Sequence, residues 1–242
     1  MDKFVSIVIP AYNEVKSIEY TLRAFNQMYD SKMPFEIIVI EDGSETSTKE
    51  VCEREYKFPV KYIWQPDEGF RCALAKNNGI RAAEGTHIFI LDGDSFPSKN
   101  LIADYWPLID KASDKVVLYG WRHTVGRDYI VEGIKQKILE KDWRKKLRHI
   151  PPAPYDFFSS SNVMIPANLA KKVLWAPDDW IGYGLDDHYF CLNWILNGGV
   201  LAPVDIDSYH MDEEEPRPAS ENISERFEKF KEEFYKKYYD KE

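Results

Sequence analysis

In the stretch HIFILDGDSFPS, His87 to Ser98, two carboxylates, Asp92 and Asp94, stand with only Gly93 between them. Carboxylates that close repel each other unless water surrounds them or a cation lies between them. Coming directly after the apolar run His87–Ile90, they can offer hard oxygen ligands to Mg2+ or Mn2+. Those ions take one or two carboxylates and complete their shell with water and phosphate oxygens. An acidic β-turn is the plain alternative, since Asp and Gly both favour turns. A second pair, Asp186 and Asp187, lies in WIGYGLDDHYF, Trp180 to Phe190, at the start of a helical pattern. A carboxylate there suits a general base, and it equally suits the helix dipole with no chemistry at all. Two carboxylate sets can also mark a glycoside hydrolase, with an acid and a base flanking the scissile bond.

The elements that must position these residues alternate over the first hundred positions. FVSIVIP, FEIIVI, VKYIWQ and HIFILD read as strands, three of them continuous apolar runs. Between them, SIEYTLRAFNQMY (with Ser17 as a candidate cap), TSTKEVCEREY and GFRCALAKNNGIRAAEG read as helices. A βαβαβαβ order with short connections predicts a parallel sheet flanked by helices, with ligands collecting at the carboxyl ends of its strands. Asn13 and Glu14, then Asp42, then Asp92 and Asp94 follow the first, second and fourth strands directly and are expected to face one crevice.

Beyond residue 101 the rhythm changes. KVVLYGWR, FFSSSNVMIP and VLAPVDI read as strands, DDHYFCLNWILNGG as a helix, and residues 126–150 as a charged helix ending in PPAP. From Ser220 on, Ile223, Phe227, Phe230, Phe234 and Tyr238 form an amphipathic stripe. That tail can dock on the protein's own body, on a second subunit or on a membrane surface; its many Glu residues disfavour anionic lipid, so intramolecular docking is expected. No flexible linker separates the halves.

Composition narrows the classes. The 242 residues suffice for one substantial core or two joined lobes. With 32 basic and 41 acidic residues the net charge is -9, opposite in sign to that of a non-specific nucleic-acid binder. The scattered Cys52, Cys72 and Cys191 form neither a disulfide framework nor a zinc spacing, which favours a reducing compartment. No apolar run approaches the ~20 residues that span a bilayer. The expectation is a soluble, cytoplasmic protein with at most peripheral contact at the inner face of a membrane.

The segments IVIPAYNE, IIVIEDGSET, AKNNGIRAAEG and IFILDGDSFPS, in this order and spacing, resemble the nucleotide-binding half of family 2 glycosyltransferases, which have the GT-A fold. QPDEGFR, Gln65 to Arg71, and WIGYGLDDHYF resemble the subset that holds chondroitin polymerases and galactosyltransferase-like members. The resemblance implies a Rossmann-like, mostly parallel central sheet with a C-terminal acceptor-binding lobe. By halves it gives residues 1–100 for the nucleotide-sugar, 101–219 for the acceptor and base, and 220–242 for the tail helix.

Position by position, the resemblance implies that Pro10, Ala11, Tyr12 and Glu14 contact the nucleotide base and ribose, and that Asp42 recognises uracil. Lys76 and Asn77 match a segment near base and diphosphate, with Lys76 where arginine is commoner. Asp92 matches the ribose-facing member of the D-x-D motif, with Gly93 beside it, and Asp94 the direct ligand of Mn2+ or Mg2+; Asp92 and His210 complete the metal set. Arg71 either reaches the diphosphate or bridges to Asp67 or Glu68. Asp187 holds the place of the general base, and Asp186 stands where glutamate is usual. Gly182, Tyr183 and Asn162 fall on the acceptor side, where the serines of SSSNVMIP depart from the family pattern, and Trp180 is either an acceptor platform or core. Trp121 and Arg122 are further candidates for sugar or diphosphate contact.

The function implied is an inverting, metal-dependent transfer from a UDP-sugar to a glycan or glycolipid-linked acceptor. A silent sugar- or nucleotide-binding module of the same fold is one rival. A nucleotidyltransferase is another, although PAYNE stands where it would show a Gly-rich phosphate loop.

Overall fold

The computed structural model describes residues 3–125, 138–140, 158–211 and 220–238. The strands are β1 (Val5–Ala11), β2 (Phe35–Asp42), β3 (Val60–Gln65), β4 (His87–Ile90), β5 (Ser95–Pro97), β6 (Val116–Val125), β7 (Ile138–Glu140), β8 (Val163–Pro166) and β9 (Val200–Met211). The helices are α1 (Val15–Met28), α2 (Lys49–Cys52), α3 (Cys72–Ala82), α4 (Leu101–Ile109), α5 (Ala167–Val173), α6 (Asp186–Leu196) and α7 (Glu221–Tyr238).

β1 and β2 are buried along their whole length because helices cover both faces of the sheet, the burial that continuous apolar runs demand. Alternate residues divide between two cores. Val8, Ile38, Ile88 and Ile90 pack with α3, α6 and the indoles of Trp175, Trp180 and Trp194. Ile7, Ile9, Val39 and Phe89 pack with α1 and α4. In α1 Ile18, Leu22 and Phe25 are buried on the face toward the sheet, but Ser17 lies inside the first turn and donates back to Glu14 at 2.7 Å instead of capping.

One nine-stranded sheet runs β3-β2-β1-β4-β8-β6-β9-β5, with β7 on β6. β1 to β4 are parallel, as their order predicts. The second half is mixed: β8 runs antiparallel to β4 and β6, β5 antiparallel to β9, and β6 parallel to β9. This reversal serves the site. Because β8 enters the sheet opposite the carboxyl end of β4, with Val163 beside Ile90, the single 3-10 turn before it, Ser160–Asn162, sits against the D-x-D loop. Likewise β9 pairs His210 with Ser95, the residue after Asp94.

The helix predicted over 126–150 lies outside the described residues except for Ile138–Glu140, which form a strand, not a helix. In α7, Ile223 and Phe227 are buried and Phe230 meets Tyr189 of α6 at 4.2 Å between ring centres; the side chains of Phe234 and Tyr238 lie outside the description. Among the described residues no helix is long and apolar enough to cross a membrane.

Candidate active site

The loops after β1, β2 and β4 converge at the carboxyl edge of the parallel strands. Pro10 and Ala11 are buried inside β1, so their side chains are closed to a ligand, whereas Tyr12 is 46% exposed at the rim. Asn13, left-handed at φ 57°, ties this loop to the next: its N–H donates to Ser44 Oγ and its Oδ1 accepts from Glu45 N–H, both at 2.9 Å. Gly93 is pressed onto β1, where a Cβ would lie 2.6 Å from the Pro10 carbonyl oxygen. Any side chain there would push the D-x-D loop off the strand.

Asp42 is buried and both its oxygens are engaged, Oδ1 by Gln65 Nε2 at 2.7 Å and Oδ2 by Arg71 N–H at 2.9 Å. It anchors the QPDEGFR loop. Arg71 takes the structural option: Nη1 bonds Glu68 at 2.5 Å and Nη2 the Pro66 carbonyl, folding the loop upon itself. Glu41, which the sequence reading passed over, is also buried and collects Thr48 N–H and Ser47 Oγ, each at 2.7 Å, and the Tyr62 hydroxyl. These donors hold its pKa below the ordinary value although burial works against them.

Two expected contacts are corrected outright. Asn77 is fully buried; its Nδ2 donates to Ala176 O at 2.6 Å and Asp178 at 2.9 Å, and its Oδ1 accepts from Trp175 N–H at 2.6 Å. It staples segment 175–178 to α3, and its side chain is closed off from solvent. Asn162 is buried likewise, with Nδ2 on the carbonyls of Trp121 and Ile206 and Oδ1 accepting from Tyr105, so it joins β6, β9 and α4 rather than an acceptor. We expect Asn77→Ala to destabilise the fold by about 2–4 kcal/mol, because it strands a buried N–H and a buried carbonyl. Urea unfolding would measure this, and a loss under about 0.5 kcal/mol would contradict the staple.

The second carboxylate pair opens α6. Leu185, left-handed at φ 60°, turns the chain into the helix, a strained conformation for a branched residue and one that sequence does not announce. Asp186 accepts from Lys76 Nζ at 2.8 Å and Trp175 Nε1 at 3.0 Å, which commits it to holding α3 and residue 175 in place. Asp187 keeps a side chain 23% exposed, taking Ser160 N–H on one oxygen at 2.9 Å and Lys76 on the other at 3.3 Å. Burial raises its pKa, but the Lys76 cation and the Ser160 N–H outweigh that and leave it below the ordinary value.

Lys76 therefore does not lie free for a diphosphate. Its ammonium is buried over the Trp175 ring at 4.9 Å, and Asp186 and Asp187 overcome the cost of burial to keep it charged. Ser160, seen in the sequence only as a departure from pattern, joins the sets by donating from Oγ to Asp92 at 2.9 Å. Trp175 carried no signal at all.

Asp94 and His210 meet at 3.1 Å. Burial pushes Asp94 upward, but the imidazole and Arg122 bring its pKa below the ordinary value. Burial lifts Asp92 to about 6, Lys76 opposes this, and the neighbouring Asp187 and Asp94 charges reinforce it. Arg122 thus acts on both aspartates, while Trp121 is buried. This excess of carboxylate over cation, with a carboxylate and an imidazole adjacent, fits Mg2+ or Mn2+ held by few protein ligands. No cluster of three or more candidate ligand side chains occurs among the described residues, and Asp92 turns to Ser160.

The loop before α6, around Gly182 and Tyr183, is held from two directions. Gly182 N–H donates to Phe70 O at 2.9 Å, and Tyr183 exchanges two 2.9 Å hydrogen bonds with Ser220 at the start of α7. Gly182 has φ +134°, and a Cβ on it would lie 2.8 Å from Ile223. Trp180 is a core residue, not a platform: it is fully buried beneath the Arg226 guanidinium, 5.1 Å from its ring centre, and against Tyr189.

A parallel half-sheet with two carboxylate sets meeting at its carboxyl edge, completed by a mixed half, is the GT-A architecture of nucleotide-sugar glycosyltransferases. Residues 6–174 match the family described as Glycosyl transferase family 2, and the chain belongs to that family. It is 28% identical to a chondroitin synthase of Escherichia coli over 92% of this chain and 36% of that protein. To a validoxylamine A glucosyltransferase of Streptomyces hygroscopicus it is 26% identical over 91% of this chain and 58% of that protein. Among solved structures, Staphylococcus aureus TarS in complex with UDP-GlcNAc superposes with a TM-score of 0.63 at 19% identity, covering 88% of this chain and 60% of that one. The chain spans only 26–36% of the length of the chondroitin synthases it matches.

Proposed function

We propose that this chain transfers a hexose-type sugar from a UDP-sugar to a saccharide or glycolipid-linked acceptor, with inversion, and that Asp187 is the general base. In this reading residues 1–100 are the donor half, 101–219 the half that supplies base and acceptor contacts, and 220–242 the tail, whose start at Ser220 braces the Tyr183 loop. The observation that carries the reading is the division of labour within the second carboxylate pair. Asp186, its side chain 13% exposed, turns to Lys76 and the Trp175 indole inside the fold, whereas Asp187, ionised and 23% exposed, is tied through Ser160 to Asp92 of the donor-side set. The UDP-GlcNAc-bound neighbour and the chondroitin synthase and glucosyltransferase relatives support a UDP-sugar donor and a saccharide product.

In the proposed reaction the acceptor hydroxyl oxygen attacks the anomeric carbon, its proton passes to an Asp187 oxygen, and the sugar–phosphate bond breaks with its electron pair staying on the diphosphate. Attack from the side opposite the leaving group inverts the centre in one displacement. Asp94 and His210 would hold a divalent cation, which when bound supplies Lewis-acid neutralisation of the diphosphate charge. Tyr12 stands at the exposed rim for the base, and the Asn13 bridge holds the two loops that frame it. The Asp42 carboxylate keeps lone pairs free beside its two hydrogen bonds, so it can still accept from a uracil N–H.

A panel of UDP-sugars with Mn2+ tests this: UDP release should rise when a saccharide acceptor is added. Release indifferent to acceptor would mean hydrolysis. No release with retained UDP binding would mean a silent binding module, and pyrophosphate release from a nucleoside triphosphate a nucleotidyltransferase.

A further inference from the structure

Ser160 hydrogen-bonds to both carboxylate sets. Its hydroxyl donates to Asp92 Oδ1 at 2.9 Å, its backbone N–H donates to Asp187 Oδ2 at 2.9 Å, and its oxygen accepts from Lys76 Nζ at 3.0 Å. A hydroxyl has a single proton. With the ammonium occupying a lone pair, that proton is directed at Asp92. Lys76 closes the circuit from the other side through the second oxygen of Asp187 at 3.3 Å. Ser160 and Lys76 are each only 3% exposed, so water does not compete for these bonds. A buried polar network with its members paired in this way holds one geometry rather than several.

The fold explains why this falls to residue 160. The antiparallel entry of β8 beside β4 places the 3-10 turn across the end of the D-x-D strand, within reach of α6. A residue here with backbone N–H alone could serve Asp187 but would leave Asp92 without this link. The serine hydroxyl makes the difference between two separate carboxylate sets and one connected set.

We propose that Ser160 is a positioning residue for sugar transfer, holding the donor-side Asp92 and the base Asp187 in one register so that the attacking hydroxyl and the donor are presented to each other correctly. This rests on the glycosyl-transfer reading of the site. Ser160 acts through the two aspartates and is not itself a catalytic group.

Ser160→Ala keeps the N–H on Asp187 and removes only the hydroxyl; Ser160→Gly keeps the N–H and removes the β-carbon as well. The full chain carrying either should bind UDP with a dissociation constant within about threefold of the parent by calorimetry. Its thermal midpoint should change little, and its kcat for acceptor-dependent UDP release should fall about 10- to 100-fold, the scale of a misplacement near 1 Å. The proposal is overturned if kcat of the folded variants stays within twofold of the parent, or if UDP affinity falls in step with kcat, which would make Ser160 a donor-binding residue. If the parent chain itself shows no acceptor-stimulated release, the glycosyl-transfer reading fails, and the positioning role with it.

Discussion

Asp187→Asn is expected to lower acceptor-dependent UDP release by about 10²- to 10⁴-fold, the range over which a general base contributes, while leaving UDP binding intact. The amide keeps the shape of the side chain and an oxygen for the Ser160 N–H; its NH2 then replaces the oxygen that met Lys76 at 3.3 Å, and Lys76 keeps its 2.8 Å partner Asp186. What is lost is the lone-pair basicity that takes the proton from the acceptor. The electrostatics add a second expectation. Lys76 helps hold Asp187 below its ordinary pKa, so the base is ionised across the neutral range and the acid limb of kcat/KM lies at low pH. Removing that cation in Lys76→Met disfavours the carboxylate form, raises the pKa, and moves the acid limb to higher pH. An Asp187→Asn protein with full turnover would show the proton going elsewhere. An unmoved acid limb in Lys76→Met would show that Lys76 does not tune the base.

Asp94→Ala should remove the response of UDP binding to divalent cation. In the parent, chelation is expected to weaken UDP binding by about 10²-fold or more, since the ion neutralises several kcal/mol of diphosphate charge. In the variant, affinity with Mn2+ should match affinity with chelator. His210→Ala should go the same way to a smaller extent, because a neutral ligand is lost and the carboxylate stays. Asp94 meets His210 across 3.1 Å and also feels the Arg122 cation, so the thermal midpoint of the variant is to be compared with the parent alongside its UDP affinity. Calorimetry with and without chelator decides the matter: a variant that still gains affinity on adding Mn2+ would place the ion on other residues.

The corrections to the sequence reading follow one pattern. Asn77, Asn162 and Trp180 are each capable of touching a nucleotide or a sugar, and each is spent inside the protein. Asn77 meets residues 98 to 101 positions away in the chain, and Lys76 meets Asp186 across 110. A side chain's chemistry states what it can bond, not which distant group reaches it first. Arg71 shows the opposite case: Glu68 lies three residues away, and the bridge to it was among the options visible in QPDEGFR.

The amino-acid sequence by itself determined the parallel half of the sheet, because FVSIVIP, FEIIVI and HIFIL are apolar on both faces and only a sheet covered on both sides buries them. It likewise placed Asp42, Asp92 and Asp94 at one edge, since each directly follows such a strand, and Asp186 and Asp187 in the first turn of a helix. Only the tertiary structure decided how these groups are shared out. The antiparallel entry of β8 and the pairing of β9 with β5 bring Ser160 to Asp92 and His210 to Asp94. The left-handed turn at Leu185 presents Asp186 to Lys76 and Trp175, and Asp187 to Lys76 and the Ser160 N–H. Those outcomes depend on strand direction and long-range packing, in which elements far apart in sequence compete to satisfy the same buried polar atoms, and no local pattern of residues records which of them prevails.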